Sequence, residues 1–200
     1  TDGTENGRDD FDDLLFISLP ADFHSRVGDI EIDPAIPLPI KPVGDTTDID
    51  YQSLDWEMIV AGMLRLLAVR PYHDHAEYYR RFVLEARPKI FTELSETGII
   101  ASRNENYELA EEIFRALSGL DPGRIEGPAN LAMSFEHRAD SLERVGKDEK
   151  ADRYRSEALS IYHDLLQRDD VPADIRLNAG LFYLKIRDFS GALAQLERFM

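Results

Sequence analysis

The stretch NYELAEEIFRALSGLDP, residues 106–122, decides how the fold is read. Tyr107, Ala110, Phe114 and Leu117 recur at three- and four-residue steps, which puts side chains on one face of an α-helix, and Asp121 and Pro122 close the run. The same landmarks return at one interval. Thirty-four residues before Ala110 stands Ala76, and 34 before Pro122 stands Pro88. Forward steps of 34 take Gly98 to Ala132, Ala101 to Phe135, and Ala158 to Ala192. A period of that length means stacked supersecondary pieces, each too small to bury its apolar face alone. From Ser53 onward helical periodicity runs almost unbroken, punctuated at residues 86–88, 120–123, 145–146 and 169–172. The expected fold class of this body is all-α.

Residues 91–124, FTELSETGIIASRNENYELAEEIFRALSGLDPGR, resemble the tetratricopeptide repeat through Leu94, Gly98, Tyr107, Ala110, Phe114 and Pro122. The segment from 173, with Gly180, Tyr183, Phe189 and Ala192, resembles it too. The resemblance implies helical hairpins of 34 residues, with a small residue where the helices cross, coiled into a right-handed solenoid. It divides the body into repeats at 57–90, 91–124, 125–172 and 173–200. The first is degenerate: Ala76 and Pro88 are in place, but Leu64 stands where a small residue belongs, so it reads as a terminal cap. The last stops at Met200, before its closing turn.

The third repeat is 14 residues too long. Its first helix starts in register at Ala132 and Phe135, its second ends in register at Ala158, Tyr162 and Leu165, and Gly146 sits seven residues late. Seven residues are about two helical turns, so seven added to each arm lengthen the hairpin without rotating its buried faces. Ala151 then becomes the small contact of the extension.

Ahead of the helices the composition changes. Residues 1–13 are polar and acidic, as in a disordered tail. Residues 14–52 hold Pro20, Pro34, Pro37, Pro39 and Pro42, half of the ten prolines in the chain. Proline fixes φ, so PAIPLPIKP is expected to be extended and polyproline-like, with a short strand at DIEI. Ile32, Ile36, Leu38, Ile40 and Val43 suit an arm that packs on the chain's own repeats and caps or partly fills their groove. The competing reading is a free proline-rich ligand for an SH3-like domain. Trp56, at the start of the first repeat, reads as an anchor for the arm or cap.

Charge narrows the functions. The formal net charge is −16, and residues 1–53 carry thirteen acidic against three basic side chains, which argues against nucleic-acid partners. The chain has no cysteine, hence neither a disulfide framework nor a thiolate zinc site. The longest apolar run, residues 58–69, contains Arg65 and is too short to span a bilayer. The start at Thr1, without Met or a hydrophobic signal core, fits a removed targeting segment or a piece of a longer protein. The compartment stays open between cytoplasm, which is preferred, and periplasm.

Catalytic signatures are missing: no P-loop, dinucleotide fingerprint, H-E-x-x-H or G-x-S-x-G occurs. His73-Asp74-His75 falls at a turn with no third ligand near it, so it reads as a solvated turn rather than a metal site. Glu111-Glu112 and Asp148-Glu149 read as solvated helix faces. No enzyme activity, cofactor or metal is expected.

Stacked hairpins present a concave surface lined mainly by the first helix of each repeat. The resemblance places Met58, Ala61 and Arg65 on that surface, then Thr92, Ser95, Ile99 and Ser102. Ala129 and Met133 follow, and finally Asp174, Leu177, Leu181 and Lys185. It implies a scaffold that takes a partner peptide or helix in the groove, without catalysis. Family members that hold chaperone tails use a Lys/Asn/Arg clamp there, whereas the matching positions here hold Ala61, Ser95 and Ile99. Two alternatives stand beside the scaffold. One is an acidic chaperone like those of bacterial type III secretion, which residues 106–122 resemble and from which the long leader and the insertion depart. The other is a structural module that dimerises through its C-terminal end.

Overall fold

The computed structural model describes residues 14–41 and 55–199. The expected acidic tail at 1–13, and Pro42, Val43 and the tether to residue 52, lie outside the described residues. The described chain is mostly helical. Four short strands come first: β1 (Leu15–Ile17), β2 (Arg26–Val27), β3 (Ile30–Glu31) and β4 (Leu38–Ile40). Then follow α1 (Trp56–Val69), α2 (Ala76–Ala86), α3 (Ile90–Arg103), α4 (Tyr107–Leu120), α5 (Glu126–Arg144), α6 (Asp148–Leu166), α7 (Ala173–Lys185) and α8 (Phe189–Phe199). Among the described residues no helix is long and apolar enough to cross a membrane. The chain divides into two compact units, one running to Leu94 and including Arg115–Pro122, the other made of Ser95–Phe114 and the residues from Gly123 on.

In the first unit, two antiparallel strand pairs sit on a helical hairpin. β1 pairs with β4, placing Phe16 opposite Pro39, and β2 pairs with β3 around Gly28, whose φ of 55° suits a tight turn. The polyproline expectation is corrected at Leu38–Ile40, which is a strand. Polyproline and β backbones differ little, and Pro39 tolerates a two-stranded ladder because its missing N–H costs nothing on an unpaired side. All three β4 residues are buried.

Gly62 explains how β4 comes so close to α1. A Cβ there would lie 2.3 Å from the Pro39 carbonyl oxygen and 2.6 Å from the Ile40 Cα, so strand backbone rests directly on helix backbone. Lys41 N–H donates to the Met58 carbonyl at 3.2 Å, and the Tyr79 hydroxyl donates to the Pro37 carbonyl at 2.7 Å. Ile32, Leu38 and Ile40 share one core with Met63, Leu66, Leu67, Phe82 and Val83. Asp55 caps α1, its carboxylate accepting from the Glu57 N–H at 3.3 Å. Trp56 packs on Phe82 with ring centroids 5.8 Å apart and, with Ile17, Leu19, Phe23, Leu38 and Ile59, lines a cavity of about 590 Å³.

The second unit repeats one turn. Glu105, Gly146 and Arg187 adopt left-handed φ values of 60°, 71° and 63°, and each stands 41 residues after the one before. Behind each, the same bond closes the first helix: Asn106 N–H to the Ala101 carbonyl, Lys147 to Leu142, Asp188 to Tyr183. That is the helix-ending motif in which a left-handed residue lets the chain reverse. α5 and α6 have 19 residues each against 14 in α3 and α4, so each arm gains five residues within the helix bounds, not seven. The tip of the hairpin moves out by seven while α5 starts, and α6 ends, two residues inside the bounds that the 34-residue landmarks set. Ala132, Ala151 and Ala158 are fully buried along this hairpin, with Phe135 and Tyr162.

Candidate functional site

The second unit holds a cavity of about 220 Å³ between α3, α4 and α5. Its floor is Ser102, Phe114 and Ser134, all buried; Ile99, Asn130 and Met133 form half-buried walls; Arg103 and His137 stand exposed at the rim. Local sequence builds it. Asn130, Met133, Ser134 and His137 follow one another at three-, one- and three-residue steps, which keeps them on one side of α5. On α3, Ile99, Ser102 and Arg103 have the same relation. Gly98 admits Phe114: a Cβ at Gly98 would meet the Phe114 ring at 2.7 Å, so any larger residue displaces the ring.

Two features make this cavity chemically uneven. The Ser102 and Ser134 side chains are buried, 7% and 1% exposed, and among the described residues neither hydroxyl has a hydrogen-bond partner. An unpaired buried hydroxyl costs about 1–3 kcal/mol, and folded proteins carry few of them. In a chain of 39 acidic and 23 basic residues, moreover, the lining includes Arg103 and His137 and, among the described residues, no carboxylate. The edges are fixed by neighbours. Asn178 Nδ2 donates to Met133 Sδ at 3.6 Å, and the Tyr107 hydroxyl donates to the His137 carbonyl at 3.2 Å. Burial, then the Glu105 charge, pushes the Tyr107 phenol above its ordinary pKa, which keeps it a donor.

A separate polar cluster ties α5 to α6 and α7. The Tyr162 hydroxyl donates to Glu136 Oε1 at 2.6 Å, and Lys185 Nζ lies 3.6 Å from Glu136 Oε2 and 2.9 Å from Asp140 Oδ2. Burial raises the Glu136 pKa, and the bond from Tyr162 and the Lys185 charge limit that rise. For Lys185 burial works against the charge, but Asp140 and Glu136 outweigh it and hold the ammonium above its usual range. One ammonium bridges the two carboxylates, and the Tyr162 hydroxyl holds Glu136 from the other side, so the cluster serves as a clamp between helices.

The sequence-expected groove residues separate accordingly. Ile99, Ser102 and Met133 meet in the cavity. Ala129 is 2% exposed and packs inside the unit, because it lies on the buried side of α5. Lys185 is committed to Asp140 and Glu136. Leu177 is half-buried and Leu181 exposed on α7; Ser95 is half-buried on α3. Arg65 on α1 and Thr92 on α3 belong to the first unit. Phe114, Asn130, Ser134 and His137 were missed, though Ser134 was readable as a polar residue directly after a groove position. At the turn ahead of α2, His75 N–H donates to His73 Nδ1 at 3.1 Å and the His73 ring stacks on Tyr79. Among the described residues no three His, Asp or Glu side chains group to hold a metal ion.

Comparison of the chain with protein-family models, with curated proteins and with solved structures returns no match.

Proposed function

We propose that the chain is a helical-repeat scaffold of the tetratricopeptide type, and that its second unit binds a partner peptide across α3 and α5 without catalysing a reaction. The cavity carries this reading: its lining includes Ile99, Ser102 and Met133, which the repeat pattern assigns to ligand, with Arg103 and His137 at its rim. The three identical turns at 41-residue spacing support the repeat assignment.

Panning a random-peptide display library against the full chain tests it. The expected result is a convergent motif whose affinity falls about tenfold or more, about 1.4 kcal/mol, on Met133→Glu. Leu84→Glu, on an exposed position of α2, should leave that affinity unchanged. Absence of a convergent motif, or a motif indifferent to Met133→Glu, overturns the reading.

One observation favours self-assembly as a second reading. Leu181, Leu184, Phe189 and Leu193 on α7 and α8 are 53%, 42%, 67% and 59% exposed. Scattered apolar exposure is normal, but four large exposed side chains on one hairpin suit contact with a second copy. A mass that doubles with concentration, and stays monomeric in Phe189→Glu, is the result this reading requires.

A further inference from the structure

We infer that the cavity walled by β1, the loop after it, β4 and the start of α1 binds a neutral, largely apolar small molecule. The site lies within the first unit and stands apart from the peptide reading of the second.

The cavity is built in layers. Ile17 of β1, Leu38 of β4 and Ile59 of α1 form a buried floor. Leu19 and Phe23 are half-buried walls, and Ser18 and Trp56 are exposed at the mouth. These parts are held in place by the fold itself. Phe23 N–H donates to the Pro20 carbonyl at 2.9 Å, which closes a turn in the loop. The close approach at Gly62 seats β4 on α1, and the Trp56 ring packs on Phe82. A site formed in advance loses little of its binding to ordering.

Size excludes a lone side chain as the natural occupant. A volume of about 590 Å³ falls inside the range of about 300–1,000 Å³ that whole small-molecule ligands occupy. Composition then excludes ions. Charged residues make up 31% of the chain, yet none of the described lining residues is ionisable. A carboxylate entering here would shed its water with no counter-ion to meet, and the net charge of −16 opposes its approach. An ammonium is drawn by that net charge from outside, but inside it meets no described carboxylate, so desolvation opposes it as well.

A peptide strand is disfavoured for a different reason. Each of its residues brings a backbone donor and acceptor that need partners once buried. The polar side chains of the described lining are Ser18 and the Trp56 indole, both at the mouth. What fits is a carbon-rich body against Ile17, Phe23, Leu38 and Ile59, with its few polar atoms turned outward beside Ser18 and Trp56.

The test uses the full chain and two probes with one ring skeleton. N-phenyl-1-naphthylamine is neutral, and 8-anilino-1-naphthalenesulfonate adds a negative charge. Trp56 is the single tryptophan and stands at the mouth, so its excitation should transfer energy to a probe bound there. The expected result is saturable transfer to the neutral probe at concentrations on the order of micromolar. The sulfonate should bind weaker by about tenfold or more, and 1-naphthylmethylammonium should compete no better than the sulfonate. Leu19→Asp, in the wall, should abolish the transfer. Ser18→Asp, at an exposed position that leaves the floor untouched, should weaken it several-fold without a question of folding. Phe189→Glu, on α8, should leave it unchanged.

Equal affinity for the sulfonate or the ammonium overturns the neutral assignment. Displacement of the neutral probe by N-acetyl-leucyl-leucinamide at similar concentrations overturns the small molecule in favour of a peptide. Absence of saturable transfer, transfer that survives both Leu19→Asp and Ser18→Asp, or transfer lost in Phe189→Glu overturns the site. The display selection is scored by Met133→Glu in the second unit and so fails or succeeds independently.

Discussion

Replacing Gly62 by alanine should weaken the first unit, against the ordinary effect of that change in a helix. Gly→Ala inside a helix normally stabilises by about 1 kcal/mol. Here the new methyl would lie 2.3 Å from the Pro39 oxygen and 2.5 Å from its carbonyl carbon. Both are backbone atoms, so no rotamer change relieves the overlap, and β4 must lift from α1. Release of Leu38 and Ile40 forfeits about 1.5–3 kcal/mol for each side chain. The Tyr79–Pro37 hydrogen bond adds about 1 kcal/mol. After subtraction of the helical gain, the net loss is about 3–6 kcal/mol. Urea unfolding followed by Trp56 emission measures it, since Trp56 is the single tryptophan and packs on Phe82 in this unit. The variant should also expose residues 14–41 to protease. A variant that is equally stable or more stable, with protease resistance unchanged, refutes the contact between strand and helix.

Four further outcomes are expected. Gly98→Leu should overpack the Phe114 and Ile113 contacts and cost about 1–3 kcal/mol or more, visible as a lower melting temperature; unchanged melting would count against the repeat register. Arg187→Gly should stabilise by roughly 1 kcal/mol because its left-handed φ strains any Cβ, and Gly146→Ala should do the reverse; denaturant midpoints with equal slopes report both. Ser134→Ala removes a buried hydroxyl without a partner and should raise stability by about 1 kcal/mol or more, whereas a clear loss would reveal a partner for it. Glu136, whose folded pKa is raised above 4.5, favours the fold most at low pH. The stability of wild type relative to Glu136→Gln should therefore be greatest below pH 4.5 and decline as pH rises through the folded pKa; a difference flat across that window refutes the assignment.

The helical body was legible because its signals are local: a three- and four-residue apolar step, and a glycine at Gly146 where the chain reverses. What stayed hidden depends on partners distant in sequence. Residues 38–40 and 15–17 form a ladder, yet neither segment alone distinguishes a strand from polyproline. The small residue sought at Leu64 exists at Gly62, but it accommodates a strand and not a helix crossing, so a search along the repeat phase passes over it. The cavity was half legible. Ile99, Ser102 and Met133 follow from the repeat phase, while Ser134 is an exception to the habit of sorting polar residues outward, and Phe114 reads as core although it also lines the cavity. Glu105 and Arg187 escape in the same way, for neither residue type advertises a left-handed backbone.

The prolines of the leader acquire a meaning in time. Ribosomal synthesis adds about 5–20 residues per second, and 45 positions separate Leu38 from Val83, a core neighbour it needs. Leu38 and Ile40 therefore wait about 2–9 s before their shelter exists. An apolar strand exposed for that long invites pairing with other chains. Pro34, Pro37 and Pro39 withhold the backbone donors such pairing requires, and Pro39 gives up nothing by it once Gly62 is there to receive the strand.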